Sequence, residues 1–152
     1  MRTPANIARH PIHPMLVPIP IGLWIFSLVC DLVYVSEKFA GVWPTVALYT
    51  MIGGIVGALL AAVPGLIDLL SLPAEPRRIA ILHMVINLTV VVLYVVNVWL
   101  RLSAPEDLKG PIWLSVVAIG LLMISGWLGG KMVYEYGVAV DSAAEPASTL
   151  RR

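Results

Sequence analysis

The sequence predicts an all-α integral membrane protein, an up-down-up-down bundle of four helices. Two observations predict it. The 152 residues are 59% hydrophobic and only 12% charged, whereas soluble domains are about 45–50% apolar and about 25% charged. The apolar residues also fall into four long blocks separated by short polar segments. A block of roughly 20 apolar residues, rising 1.5 Å each, matches a hydrocarbon core about 30 Å thick.

The first span is expected over Met15–Val35, with Pro14, Pro18 and Pro20 crowding its start. Proline is tolerated there because first-turn N–H groups have no intrahelical partner. The second is expected over Thr45–Leu70, with Pro64 as a kink one turn before its end. The third covers Ile79–Leu100 and the fourth Ile112–Tyr134, while Pro44 and Pro111 stand where helix-starting prolines belong. The joining segments Ser36–Trp43, Ser71–Arg78 and Arg101–Gly110 are short, which forces antiparallel neighbours. Residues 1–137 therefore read as one four-span domain, and 138–152 as a polar, Ala/Ser-rich, poorly ordered tail.

Lys and Arg placement sets an expected orientation. Arg2, Arg9, Arg77, Arg78, Lys131, Arg151 and Arg152 fall on one side, and Lys38, Arg101 and Lys109 on the other. That bias puts both termini in the cytoplasm of a bacterial inner membrane. Trp43, Trp99 and Trp113 fall near the outer interface. A cleaved signal peptide is not expected, because the first block is long, proline-rich and without a small-residue cleavage pattern before Asp31. A net charge of +1 with no basic stripe gives no footprint for nucleic acid. The single cysteine, Cys30, excludes an intramolecular disulfide and reads as a small buried apolar residue.

Polar residues fall into stripes. In the third span His83, Asn87, Val90, Tyr94, Asn97 and Arg101 share one helical face; in the first, His13, Val17, Pro20, Trp24, Ser27, Asp31 and Tyr34 do. Thr50, Gly53, Gly57, Pro64, Asp68 and Ser71 form a similar stripe in the second. Polar groups are costly against lipid, so these faces should turn inward. Gly53 with Gly57, Ser125 with Gly129 and Gly126 with Gly130 have the spacing that lets helix backbones approach closely.

Spans one and three run in the same direction. His13 precedes Asp31, and His83 precedes Arg101, by the same 18 residues, or about 27 Å of helix. The histidines thus share a level near the cytoplasmic face, and Asp31 and Arg101 share one near the outer face, as a structural ion pair or as snorkelling groups. The common 70-residue offset hints at an internal duplication, although Asp68 has no counterpart in span four. His10, His13, Asp68 and His83, with Asn87 one turn deeper, form the candidate site. Histidine is the commonest metal ligand, and Asp68 is placed to ligate a metal or orient an imidazole. The run His10-Pro11-Ile12-His13-Pro14 reads as a stiff, non-helical strap across the inner mouth. The plainer readings are an interfacial His10 and a structural hydrogen bond from His13 or His83, for example to Asp68.

Several motifs together resemble a known family. They are His10-Pro11-Ile12-His13-Pro14, Pro18-Ile19-Pro20-Ile21-Gly22-Leu23-Trp24, Asp31, Pro64-Gly65-Leu66-Ile67-Asp68, His83-Met84 with Asn87, and Ser125-Gly126-Trp127-Leu128-Gly129-Gly130. Over roughly residues 10–140 they resemble the bacterial membrane family named domain of unknown function 2231. Members fused to Rieske-type or cytochrome c domains are known, so the resemblance implies a place in membrane electron transfer. This chain has no Cys-x-x-Cys-His haem-attachment sequence.

The leading expectation is a redox module. His13 and His83, with Asn87 close by, would hold haem b, or His10, His13, Asp68 and His83 a single transition-metal ion. Its partners would be the lipid bilayer and a redox protein or a second copy of the chain. The alternatives are an ion-, proton- or solute-transport protein and a structural subunit of a larger membrane complex. Hydrolysis and group transfer have little support, because no nucleophile sits beside a base and no phosphate-cradling loop is present.

Overall fold

The computed structural model describes residues 1–36, 41–105 and 108–140. Lys38, Arg151, Arg152 and the tail from residue 141 lie outside the described residues. The chain opens with a minimal antiparallel hairpin, β1 (Asn6–Ile7) and β2 (His10–Pro11), turned through Ala8 and Arg9 at φ 49° and 69°. Five helices follow: α1 (Ile12–Leu16), α2 (Pro18–Val35), α3 (Trp43–Ser71), α4 (Ala74–Ser103) and α5 (Lys109–Tyr134).

Helices α1 and α2 form one span, Ile12–Val35. The break at Val17 falls where Pro18 and Pro20 remove N–H donors from the ladder. Hydrogen bonds from Val17 N to His13 O (3.1 Å) and from Ile21 N to Val17 O (3.4 Å) carry the helix across it. The expected strap therefore stops short of His13, which is helical; Pro14 follows it within the first turn, where a missing donor breaks no bond. The connection between α3 and α4 is also shorter than expected, only Leu72 and Pro73. Pro73 is the N-cap of α4 and Pro76 lies in its first turn, so both prolines start the helix and do not extend the loop.

Four helices are long and apolar enough to cross a membrane. They pack as two hairpins, α2 against α3 and α4 against α5, with α3–α4 and α2–α5 contacts closing the bundle. Its surface is inverted relative to a soluble protein. Leu60, Val63, Met123 and Trp127 are exposed, while Ser27, Asp31, Asn97, Arg101, Ser115 and Ser125 are buried. In water such a surface would aggregate; facing acyl chains it loses nothing, and the polar groups pair inside.

The central core joins Trp24, Cys30, Ala47, Met51, Val90, Tyr94, Ala118 and Leu122. The buried faces of α2 and α4 follow the expected stripes, except that Tyr34 is exposed. On α3 the buried face runs through Ala47, Met51, Gly54, Gly57, Ala61, Pro64 and Asp68, one residue away from the expected Thr50 and Gly53. Thr50 instead donates to Val46 and Ala47 of its own helix. Gly54 decides the register: the Trp24 indole lies against it so closely that no side chain fits. Of the glycines expected to admit a neighbouring helix, Gly53 and Gly57 do so, against Leu23 and against Ile19 and Pro20. Gly126 and Gly130 meet nothing within 4 Å.

Candidate functional site: an imidazole pair at one end of the bundle

Three layers stack along the bundle axis between α1/α2 and α4, each made by residues 70 apart: His13 with His83, Trp24 with Tyr94, and Asp31 with Arg101. The end nearest the N-terminal hairpin holds the histidines. Their rings lie 6.3 Å apart, centre to centre, with planes at 86°. Both are half-buried.

Each ring is aimed by the helix beside it. His13 Nδ1 donates to the Ala61 carbonyl on α3 (2.8 Å). Pro64, having no N–H, leaves the carbonyl of Leu60, next to Ala61, without its ladder donor. Gly65 supplies the room, since a Cβ there would sit 2.8 Å from His13 Nδ1. On the other hairpin His83 Nδ1 donates to the Ser125 carbonyl (2.9 Å), with the Ser125 hydroxyl also at 2.9 Å. Gly129 faces this ring as Gly65 faces the first. One offset of 64 residues relates Ala61 to Ser125 and Gly65 to Gly129, so the two hairpins are built alike, as in a parallel repeat.

The carbonyl partners fix the tautomer. A carbonyl only accepts, so each Nδ1 carries a proton, and the neutral form of each ring has its lone pair on Nε2. Among the described residues neither Nε2 has a hydrogen-bond partner.

The other predicted site residues go elsewhere. Asn87 turns into the α4–α5 seam, donating to Ser125 Oγ (2.6 Å) and the His83 carbonyl (2.8 Å), so it positions the serine that holds His83. Asp68 Oδ1 accepts from Ala5 N (2.8 Å), tying the N-terminal segment over this end of the bundle. His10 is exposed and bonds Ala8 O within its own turn (2.9 Å). The expected four-residue set of His10, His13, Asp68 and His83 therefore does not gather. Among the described residues no group of three or more His, Cys, Asp or Glu is placed to hold a metal ion. The physical reason is local: left-handed backbone at Ala8 and Arg9 turns His10 back on its own strand, and an unpaired backbone N–H claims Asp68.

The middle layer is closed. Trp24 and Tyr94 stack at 4.5 Å with planes only 5° apart, and Trp24 Nε1 donates to the Met51 carbonyl (3.3 Å). At the far end Arg101 grips Asp31 through both terminal nitrogens, at 2.9 and 2.7 Å, and donates from Nε to Asn97 Oδ1 (2.8 Å). Asn97 in turn donates to Ser115 Oγ and the Pro111 carbonyl. The sequence marked the Asp31–Arg101 level; Asn97–Ser115 was missed as a partnership, although both residues are polar at buried helix positions.

A predicted membrane protein family, domain of unknown function 2231 (DUF2231), matches residues 9–142. The chain belongs to that family. The match takes in all four spans of this DUF2231 member, both histidines of the pair and the far-end ion pair. No curated protein and no solved structure matches the chain.

Proposed function

We propose that this protein is a membrane redox module in which His13 and His83 would hold a haem b. The observation that carries the reading is the pair itself: two half-buried imidazoles 6.3 Å apart, each with Nδ1 tied to a carbonyl and Nε2 free. A ligating histidine ordinarily donates its other N–H to a fixed acceptor, which sets ring orientation and raises basicity. Ala61 and Ser125 supply that acceptor here, and Asn87 holds Ser125. A haem held there would supply one-electron exchange, its potential set by ligands, hydrogen bonds and burial. The chain's own part is to hold two rings at one depth, each donating from Nδ1, and to keep the bundle beyond them dry.

Dryness also weighs against transport. A path from the histidines to Asp31 and Arg101 would cross the packed Trp24–Tyr94 stack and Val90, all buried. By the Lys and Arg bias the pair lies at the cytoplasmic side of a bacterial inner membrane, and the electron partner is a redox protein or a second copy of the chain.

Absorption spectroscopy with haem extraction on purified protein tests the reading. A Soret band is expected at one haem per pair, lost in His13→Ala and in His83→Ala, with both variants still folded. Colourless protein that takes up no haem on reconstitution would overturn it.

A further inference from the structure

The two imidazoles stand on unequal supports. His83 belongs to α4, an unbroken helix of 30 residues. His13 belongs to α1, a helix of only five residues. Behind α1 the ladder is weakened by Pro18 and Pro20, and the bond that crosses the break, from Ile21 N to Val17 O, is long at 3.4 Å. Ahead of α1 lies the hairpin of β1 and β2, exposed at every residue from Asn6 to His10. A two-stranded hairpin is marginal by itself, and this one turns through two non-glycine residues at positive φ, Ala8 and Arg9, which adds strain. Ile12 N donates to Ala5 O (2.9 Å), so the hairpin and α1 make one arm.

The arm is fastened to α3 at both of its ends, by His13 Nδ1 on the Ala61 carbonyl (2.8 Å) and by Ala5 N on Asp68 Oδ1 (2.8 Å). Ala61 and Asp68 are two turns apart on the buried face of α3, so the arm lies along the end of that helix. A group gripped by both imidazoles has to pass between rings that stand 6.3 Å apart. Helix α4 has no break on which His83 could turn aside. The arm has a joint at Val17, at an element boundary where hinges are usually found, and its far fastening is a single carboxylate.

We infer that residues 5–16 are a gate that carries His13. Latched by Asp68, the arm sets His13 beside His83; released, it turns about Val17 and opens the pair. The inference rests on the reading of the pair as a place where a group is held, and it supplies the way in.

The test is diethyl pyrocarbonate labelling of the purified full chain in detergent without added haem, read by peptide mass spectrometry. The reagent attacks an imidazole nitrogen that has a lone pair and is reached by solvent. His10 is exposed and serves as the internal standard. Cys30 is fully buried, so its reaction with a maleimide reports unfolding of the bundle. Asp68→Ala removes the latch and is expected to speed labelling of His13 and His83 by about fivefold relative to His10, the worth of one hydrogen bond in the opening equilibrium, with Cys30 still protected. Asp68→Asn keeps an acceptor for the Ala5 N–H and should label close to the wild-type rate. Should Asp68→Ala expose Cys30, Ala5→Pro removes the donor instead and should speed labelling in the same way. Unchanged labelling in the folded latch variant, or an equal rise in Asp68→Asn, would refute the gate. The labelling needs no haem, so a missing Soret band and a failed gate are separate results.

Discussion

The two ends of the bundle place residue pairs on the same two spans, at the same 70-residue offset, and finish them differently. At the far end Asp31 and Arg101 are buried and bound through both carboxylate oxygens, with Asn97 and Ser115 completing the network. At the other end His13 and His83 are half-buried, and each is satisfied on one nitrogen only. A network whose charges are all answered is a fastening: breaking one member leaves a buried charge alone. A pair that is held on one side and left open on the other is arranged to receive something. The stack of Trp24 on Tyr94 keeps the two ends apart.

Breaking the fastening should have the largest effect. Asp31→Ala leaves Arg101 buried without its counter-ion and is expected to destabilise the protein by about 3–5 kcal/mol. The double variant Asp31→Leu with Arg101→Met should recover most of that loss, because removing both charges is often close to neutral. Denaturant titration in detergent micelles measures both; a double variant as unstable as the single one would show that the ion pair is not a fastening.

The next effect separates the two hairpins. In Gly65→Ala the new methyl would stand 2.8–2.9 Å from the His13 ring, a clash expected to cost about 1–3 kcal/mol and to shift the imidazole. At Gly129 the nearest His83 atom is 3.5 Å away, an ordinary contact, so Gly129→Ala should stay within about 0.5 kcal/mol of wild type. Equal melting shifts for the two would mean that the second ring is packed as tightly as the first. The smallest effect is expected at Gly126, where nothing lies within 4 Å. Gly126→Ala should be neutral or gain about 0.5–1 kcal/mol from helix propensity, and a clear loss of thermal stability would show that this open edge is covered in the membrane.

Much of this was legible in the residues. The stripes on spans one and three repeat every three or four positions, and polar side chains in an apolar helix have only the interior to face, so the residues alone match His13 with His83 and Asp31 with Arg101 in depth. The second span was less legible. Its small residues occur in adjacent pairs, Gly53-Gly54 among them, and periodicity alone cannot choose between neighbours. The choice belongs to Trp24, whose indole needs the space over Gly54.

The sequence by itself determined the solvent this protein lives in, the number of its spans and the depth of its polar residues, because hydropathy and rise per residue are properties of the chain. The tertiary structure alone decided which polar groups meet. Asp68 went to the Ala5 backbone, His10 to its own turn, and the two remaining imidazoles to carbonyls on different helices. Hydrogen bonds reach only about 3 Å, so their partners are set by rotations and offsets between helices that no single helix encodes.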